Sequence, residues 1–245
     1  MLMSTRLLRP VGAAVLGLVA ASAAQAYKFN ALDQLQSQAE FRQLSEDLSA
    51  TLVDRQHAPA SGLGLIGFDV ALTAGGTSIQ SKAIVERATG SSNVPSTLPT
   101  VALRAQKGLP FGVDLGVSYT TVPGSSVSAV GGSVKWAFVE GGVLTPAVAV
   151  RLHANQTNGL GDMSLRSQGV DLSISKGFAF FTPYAGVGVV ASQASTKNDR
   201  WAAERYTQTR VFAGANLNLL VTNLAFEADK TGEDTTLSLK FGVRF

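Results

Sequence analysis

The chain has 245 residues and no cysteine; 45% of its residues are hydrophobic and 15% are charged. The lack of cysteine excludes disulfide scaffolds, cysteine-zinc sites and thiol catalysis, and the apolar composition excludes a disordered chain. The formal net charge of +3 falls to +1, with 18 basic and 17 acidic residues, when Arg6 and Arg9 of a predicted leader are set aside. A charge this small excludes the basic footprint of a nucleic-acid-binding protein.

Residues 1–26 are predicted to be a cleavable signal peptide. Arg6 and Arg9 precede an uninterrupted run of small and aliphatic residues from 11 to 24, and Ala24-Gln25-Ala26 has the pattern that precedes a cleavage site. The run is shorter than the ~20 apolar residues of a membrane-spanning helix. We therefore expect the chain to be exported.

Residues 27–61 form a separate N-terminal segment with a helical pattern. Its apolar residues recur at spacings that suit a helix better than a strand, and Pro59 ends the pattern: Leu32, Leu35, Phe41, Leu44 and Leu48. Two placements agree with the sequence. The segment either lies in the periplasm or enters the lumen of the following domain as a plug.

From residue 62 to residue 245 the hydrophobic period changes to two. In a typical segment Val170, Leu172 and Ile174 alternate with polar residues, and about ten such segments follow one another, many of them nine residues or longer. That length lets a tilted strand cross a bilayer, where only helices and closed barrels satisfy the backbone. The sequence therefore predicts an all-β fold, a closed antiparallel transmembrane β-barrel of about ten strands with a short N-terminal helical segment.

Connection lengths indicate that the apolar stripes face lipid. Outer-membrane barrels alternate short periplasmic turns with longer outer loops. The tight connections lie near residues 107–110, 140–142, 176–177 and 220, and the longer ones at 79–98, 155–162, 193–204 and 230–234, with a short exception at 122–126. A soluble β-sandwich is the alternative, and it would leave both this alternation and the unusual strand lengths unexplained.

The last strand carries a second indication. Apolar residues occupy every second position up to a terminal Phe: Leu237, Leu239, Phe241, Val243 and Phe245. In this the chain resembles the Gram-negative outer-membrane β-barrel proteins. The resemblance implies a location in the outer membrane, with outer-membrane lipid and lipopolysaccharide around the barrel. It also implies recognition by the barrel-assembly machinery through the final strand, with Phe241, Val243 and Phe245 as the assembly signal.

Charged residues of both signs alternate with the apolar stripes and are predicted to line the lumen. The set comprises Asp69, Arg104, Asp114, Lys135, Arg151, His153, Asp171, Arg210, Glu227, Asp229, Lys240 and Arg244. Ten strands enclose little more space than side chains fill, and ions in a confined site must pair. We expect a salt-bridged, largely closed lumen, and the alternative is a narrow polar channel.

Catalytic motifs are sparse. The histidines are His57 and His153, and the inward positions next to His153 along its strand carry no serine or carboxylate. No set of nucleophile, base and orienting group can be assembled by spacing, and no cofactor or metal site is predicted. The leading hypothesis is a structural or surface-interaction barrel without enzymatic activity; a porin-like channel for small polar solutes is the second, and a lipid- or peptide-cleaving hydrolase that uses His153 is the third.

Overall fold

The computed structural model describes residues 28–197 and 200–245. The predicted signal peptide lies outside the described residues. Helix α1 is Gln38–Leu52 and α2 is Lys82–Thr89, with 3₁₀ turns at Leu32–Gln34 and Pro110–Gly112. Strands β1 to β10 are Phe68–Ser78, Thr97–Gly108, Val113–Thr121, Ser128–Val139, Ala147–Asn158, Met163–Ser175, Phe181–Thr196, Glu204–Leu219, Thr222–Thr231 and Asp234–Arg244.

The ten strands form one closed antiparallel barrel. Each strand pairs with its sequence neighbours, and β1 pairs with β10 from Asp69↔Arg244 to Ser78↔Thr235. The predicted fold class is therefore confirmed. Among the described residues, no helix is long and apolar enough to span a membrane.

The two faces of the barrel wall have opposite polarity. Outward side chains are mostly apolar and exposed, such as Leu72, Leu103 and Leu152, whereas the alternating inward positions include buried charged residues such as Asp171 and Arg210. A soluble barrel has the reverse arrangement. The wall therefore has the polarity of a barrel that contacts lipid outside.

The strands extend further than the sequence pattern predicts. Strand β2 begins at Thr97, β5 continues to Asn158 and β7 continues to Thr196, so three predicted loops are shorter than expected. Near these ends both faces carry polar residues, as at Ser192 and Gln193, and the two-residue hydrophobic period disappears although the backbone ladder continues.

The barrel has two different ends. The connections at residues 109–112, 140–146, 176–180 and 220–221 form the turn end, which also holds the seam between Phe68 and Phe245. The connections at 79–96, 122–127, 159–162, 197–203 and 232–233 form the loop end, where α2 lies. The predicted alternation of lengths is correct at 79–96 but wrong elsewhere, because the strands extend into the other predicted loops and both ends otherwise have connections of two to seven residues.

Helix α1 begins at a capping arrangement. The Ser37 hydroxyl accepts a hydrogen bond from Glu40 N, while the Glu40 carboxylate accepts one from Gln36 N. Such reciprocal bonds satisfy amide groups that a helix leaves unpaired at its start. The local sequence thus determines where α1 begins, before any contact with the barrel.

Candidate functional site: the occupied lumen

The N-terminal segment passes through the barrel from the loop end to the turn end. At the loop end, Trp201 Nε1 donates a hydrogen bond to Leu32 O at 2.9 Å, and Arg87 forms an ion pair with Glu40. At the turn end, Ala60 N donates to Ser175 Oγ at 3.0 Å. Of the two placements that the sequence left open, the structure has the segment in the lumen.

The half of the lumen nearest the loop end is an apolar core. The buried residues of the segment are Phe29, Leu32, Leu35, Phe41, Leu44, Leu48 and Leu52, and they meet Val85, Leu98, Leu160, Leu165 and Trp201 of the barrel and its loops. Each fully buried side chain of this size contributes ~1.5–3 kcal/mol. None of the predicted lumen charges lies in this core, where the apolar face of α1 packs as it would in a soluble protein. Polar residues of α1 are also buried, with Asp47 bonded to Ser81 and Ser49 bonded to Gln208.

The half nearest the turn end is polar, and Asp54 lies at its centre. Its carboxylate pairs with Arg104 Nη2 of β2 at 2.7 Å and with Arg151 of β5, and it accepts a hydrogen bond from Ser118 Oγ of β3 at 2.8 Å. Asp54 is only 3% exposed. A single carboxylate of the segment thus pairs with two guanidinium groups that belong to well-separated strands.

The next residue reaches the opposite wall. Arg55 forms an ion pair with Asp229 of β9 and donates to Thr236 Oγ1 of β10 at 2.8 Å. Its guanidinium also donates to the carbonyls of Ala50 and Thr51. Together, Asp54 and Arg55 join the two sides of the barrel through the chain's own N-terminal segment.

Sequence reasoning missed Asp54 and Arg55 as site residues. The usable signal was small: an Asp-Arg doublet that follows the last apolar residue of α1 and precedes Pro59. That local pattern does not indicate the ion-pair and hydrogen-bond partners on the strands, which lie 50 to 181 residues further along the chain.

The predicted lumen residues are all on the inward face, and most pair with one another. Ion pairs join Lys240 to Asp69, Lys135 to Asp114 (2.8 Å), Arg151 to Asp171 (3.2 Å), Arg210 to Asp171 (3.0 Å) and Arg210 to Glu227 (3.0 Å). Arg244 is partly exposed and forms no ion pair with a residue in the described ranges. Buried ions in multiple hydrogen bonds hold a fixed geometry, since a lost partner leaves an uncompensated charge.

His153 has an acidic neighbour that the sequence did not reveal. Its Nε2 lies 3.6 Å from Asp171 Oδ2 on β6. Strand pairing brings together these residues, which are 18 positions apart, so inspection of the neighbouring positions on β5 did not find this carboxylate. The ring lies over Gly169, where a Cβ atom would come within 2.4 Å of Nε2. The side chain is fully buried, and Asp171 is already held by Arg151 and Arg210.

Within residues 28–197 and 200–245, no group of three His, Asp or Glu side chains is arranged to hold a metal ion.

No family model matches the sequence, and no curated protein matches it. Among solved structures, the chain is similar to the Neisserial surface protein A (12% identity, TM-score 0.32, covering 72% of this chain and 95% of that one). It is also similar to the β-domain of the Bordetella autotransporter BrkA (12%, 0.36, 74% and 100%) and to Ail of Yersinia pestis (11%, 0.28, 73% and 97%). These are outer-membrane β-barrels.

The fold is that of a transmembrane β-barrel. The sheet is closed, its outward side chains are mostly apolar and exposed, and its inward positions carry the buried charges.

The predicted assembly signal lies at the seam of the barrel. Phe241, Val243 and Phe245 point outward and are 61%, 40% and 58% exposed. Phe245 N donates to Phe68 O at 2.9 Å, Phe68 N donates to Phe245 O at 3.1 Å, and the two rings are 4.8 Å apart. The last residue of the chain therefore completes the ladder that closes the barrel.

Proposed function

We propose that the protein is an integral outer-membrane barrel with a structural or surface-interaction role, whose lumen is held closed by its own residues 28–61. The observation that carries the proposal is the pair Asp54 and Arg55, which bridges β2 and β5 to β9 and β10. The loop end faces the cell exterior and the turn end faces the periplasm, as in other outer-membrane barrels.

Side chains fill most of the lumen, which supports a closed barrel. The loop-end half is occupied by the side chains of α1, and the cavity beside Arg55 and His57 in the turn-end half has a volume of ≈20 Å³, which is room for about one water. A conducting pore needs a continuous file of water. The segment would have to move before a solute could pass.

The proposed surface-interaction role is supported by the way the connections are held at the loop end. Residues 28–40 bind the long loops together: Ala31 N donates to Ala88 O at 3.0 Å, and Ala202 N donates to Gln38 Oε1 at 3.0 Å. Loops held by a rigid scaffold are the usual site of binding. The ordered rim is the surface that an extracellular partner would meet.

Planar-bilayer conductance of the refolded protein tests closure. We expect no stepwise openings from the wild type, and openings after deletion of residues 28–61 or in the double variant Asp54→Ala, Arg55→Ala. The matched control is Asp33→Asn, which removes an exposed acid of the same segment outside the lumen. A heat-dependent shift in gel mobility verifies that each barrel has folded.

Two results would contradict the proposal. Openings of reproducible size from the wild type would replace the closed lumen with the narrow channel for small polar solutes. A folded deletion variant that stays silent would mean that the wall alone closes the lumen, without the segment.

Single-cysteine labelling tests the orientation, because the chain has no cysteine of its own. Asn30→Cys at the loop end should react with a membrane-impermeant maleimide on intact cells. Val143→Cys, at a turn-end position that is 93% exposed, should react only after the outer membrane is permeabilised. The opposite pattern would reverse the proposed orientation.

We further propose that β10 is the strand recognised by the barrel-assembly machinery. Its outward residues Phe241, Val243 and Phe245 are exposed along the seam, and β10 pairs with β1 to close the sheet.

A further inference from the structure

The charged side chains that the ten strands direct outward are all basic. They are Lys107, Arg166, Arg205 and Lys230, all exposed. The acidic residues of the strands all occupy inward positions: Asp69, Asp114, Asp171, Glu204, Glu227, Asp229 and Asp234. The outer wall therefore attracts anions, whereas the inward positions of the strands carry six basic and seven acidic residues.

Two of these cations lie in one row across four strands. Strand pairing aligns Gln156 with Arg166, Arg166 with Gln193, and Gln193 with Arg205. Neighbouring strands are ~4.8 Å apart, so the two arginine Cα atoms are about 10 Å apart with an amide side chain between them. An open groove of ≈790 Å³ is lined by all four residues.

The row lies just above the apolar part of the wall. Along β7 the outward residues from Phe181 to Ala191 are apolar, and Gln193 is the next outward position. These ten residue steps cover ~33 Å along a strand, or ~25 Å along the membrane normal at a tilt near 40°. That height equals the ~25 Å apolar band of outer-membrane barrels. On β6 the outward residue between Arg166 and the apolar band is Gln168, and on β8 the outward residues below Arg205 are Thr207 and Thr209. Both arginines therefore lie above the apolar band, on the side of the outer-leaflet headgroups.

Neither arginine forms an ion pair with another residue in the described parts of the chain. In contrast, Lys230 at the same end pairs with Glu233 at 3.5 Å. A guanidinium group binds phosphate through two parallel hydrogen bonds, and the intervening amides can donate to sugar or ester oxygens.

We infer that the row formed by Gln156, Arg166, Gln193 and Arg205 is a binding site for the phosphorylated headgroup of lipid A in the outer leaflet. The inference rests on the proposed membrane location, and it extends that proposal by assigning one lipid class to one sector of the wall. The acyl chains lie against the apolar rows below, where Val170 and Val189 face outward, and the phosphates lie at the arginines.

Native mass spectrometry of the full refolded protein in detergent micelles tests the site. The probes are lipid A and its bis-dephosphorylated form. We expect the wild type to retain lipid A at least about tenfold more tightly than the double variant Arg166→Gln, Arg205→Gln, since hydrogen bonds to charged groups contribute on that order. Lys230→Gln is the control, because it removes an outward cation of the same end and should leave binding unchanged.

The remaining comparisons identify the ligand. The dephosphorylated form should bind the wild type as weakly as lipid A binds the double variant. Inorganic phosphate in millimolar excess should not displace lipid A, and displacement would assign the row to a free anion instead. Equal retention of lipid A by the wild type and a folded double variant would overturn the site. That result would leave the closed lumen untouched, because conductance does not depend on the outer wall.

Discussion

Replacement of Asp54 by asparagine tests the buried network most directly. The amide has the same shape but cannot neutralise Arg104, whose Nη2 is 2.7 Å from the carboxylate, or Arg151. Removal of one partner of a buried ion pair costs ~3–5 kcal/mol. After the substitution Arg151 retains its ion pair with Asp171, at 3.2 Å, whereas Arg104 loses its ion pair with Asp54. We therefore expect the free energy of unfolding to fall by ~3 kcal/mol, near the lower limit.

Urea unfolding of the refolded protein in detergent, followed by the fluorescence of Trp136 and Trp201, measures the loss. Glu233→Gln is the control: its pair with Lys230 is solvent-exposed and should change stability by less than ~1 kcal/mol. Adding Arg104→Gln to Asp54→Asn should restore part of the loss, since it removes the uncompensated cation. If Asp54→Asn is no more destabilising than the control, Asp54 does not hold the lumen together.

Two further predictions concern the ends of the barrel. Deletion of Phe245 should lower the yield of folded barrel in the outer membrane, because it removes two hydrogen bonds and a ring contact to Phe68; a normal yield contradicts this. Trp201→Ala should expose α1 to protease in folded protein, because the hydrogen bond to Leu32 O and the indole packing are lost; an unchanged digestion pattern contradicts it.

Much of the barrel could be predicted because the two-residue alternation of a strand depends only on neighbouring residues. Val170, Leu172 and Ile174 face one way and Asp171 and its neighbours face the other whatever surrounds them. The prediction was less accurate at strand ends, where residues such as Ser192 and Gln193 are polar on both faces and hydrogen bonding alone continues the ladder.

The candidate site was predictable only in part. The inward charges of the strands followed from alternation, but their partners did not. Arg104 and Arg151 could have been assigned to any inward acid, and their shared counterion, Asp54, lies outside the strands altogether. The alternation also gave no sign that the loop-end half of the lumen is apolar, because that half is completed by α1.

The amino-acid sequence by itself determined the period of two, the helical pattern of residues 27–61 and the apolar last strand. These are properties of neighbouring residues, and local geometry converts them into strands, a helix and two faces. Only the tertiary structure decided that the N-terminal segment lies inside the barrel and that Asp54 and Arg55 join its opposite walls. It also decided that Arg166 and Arg205 lie in one row. Such contacts join residues tens to hundreds of positions apart, and they depend on register and closure, which no local pattern contains.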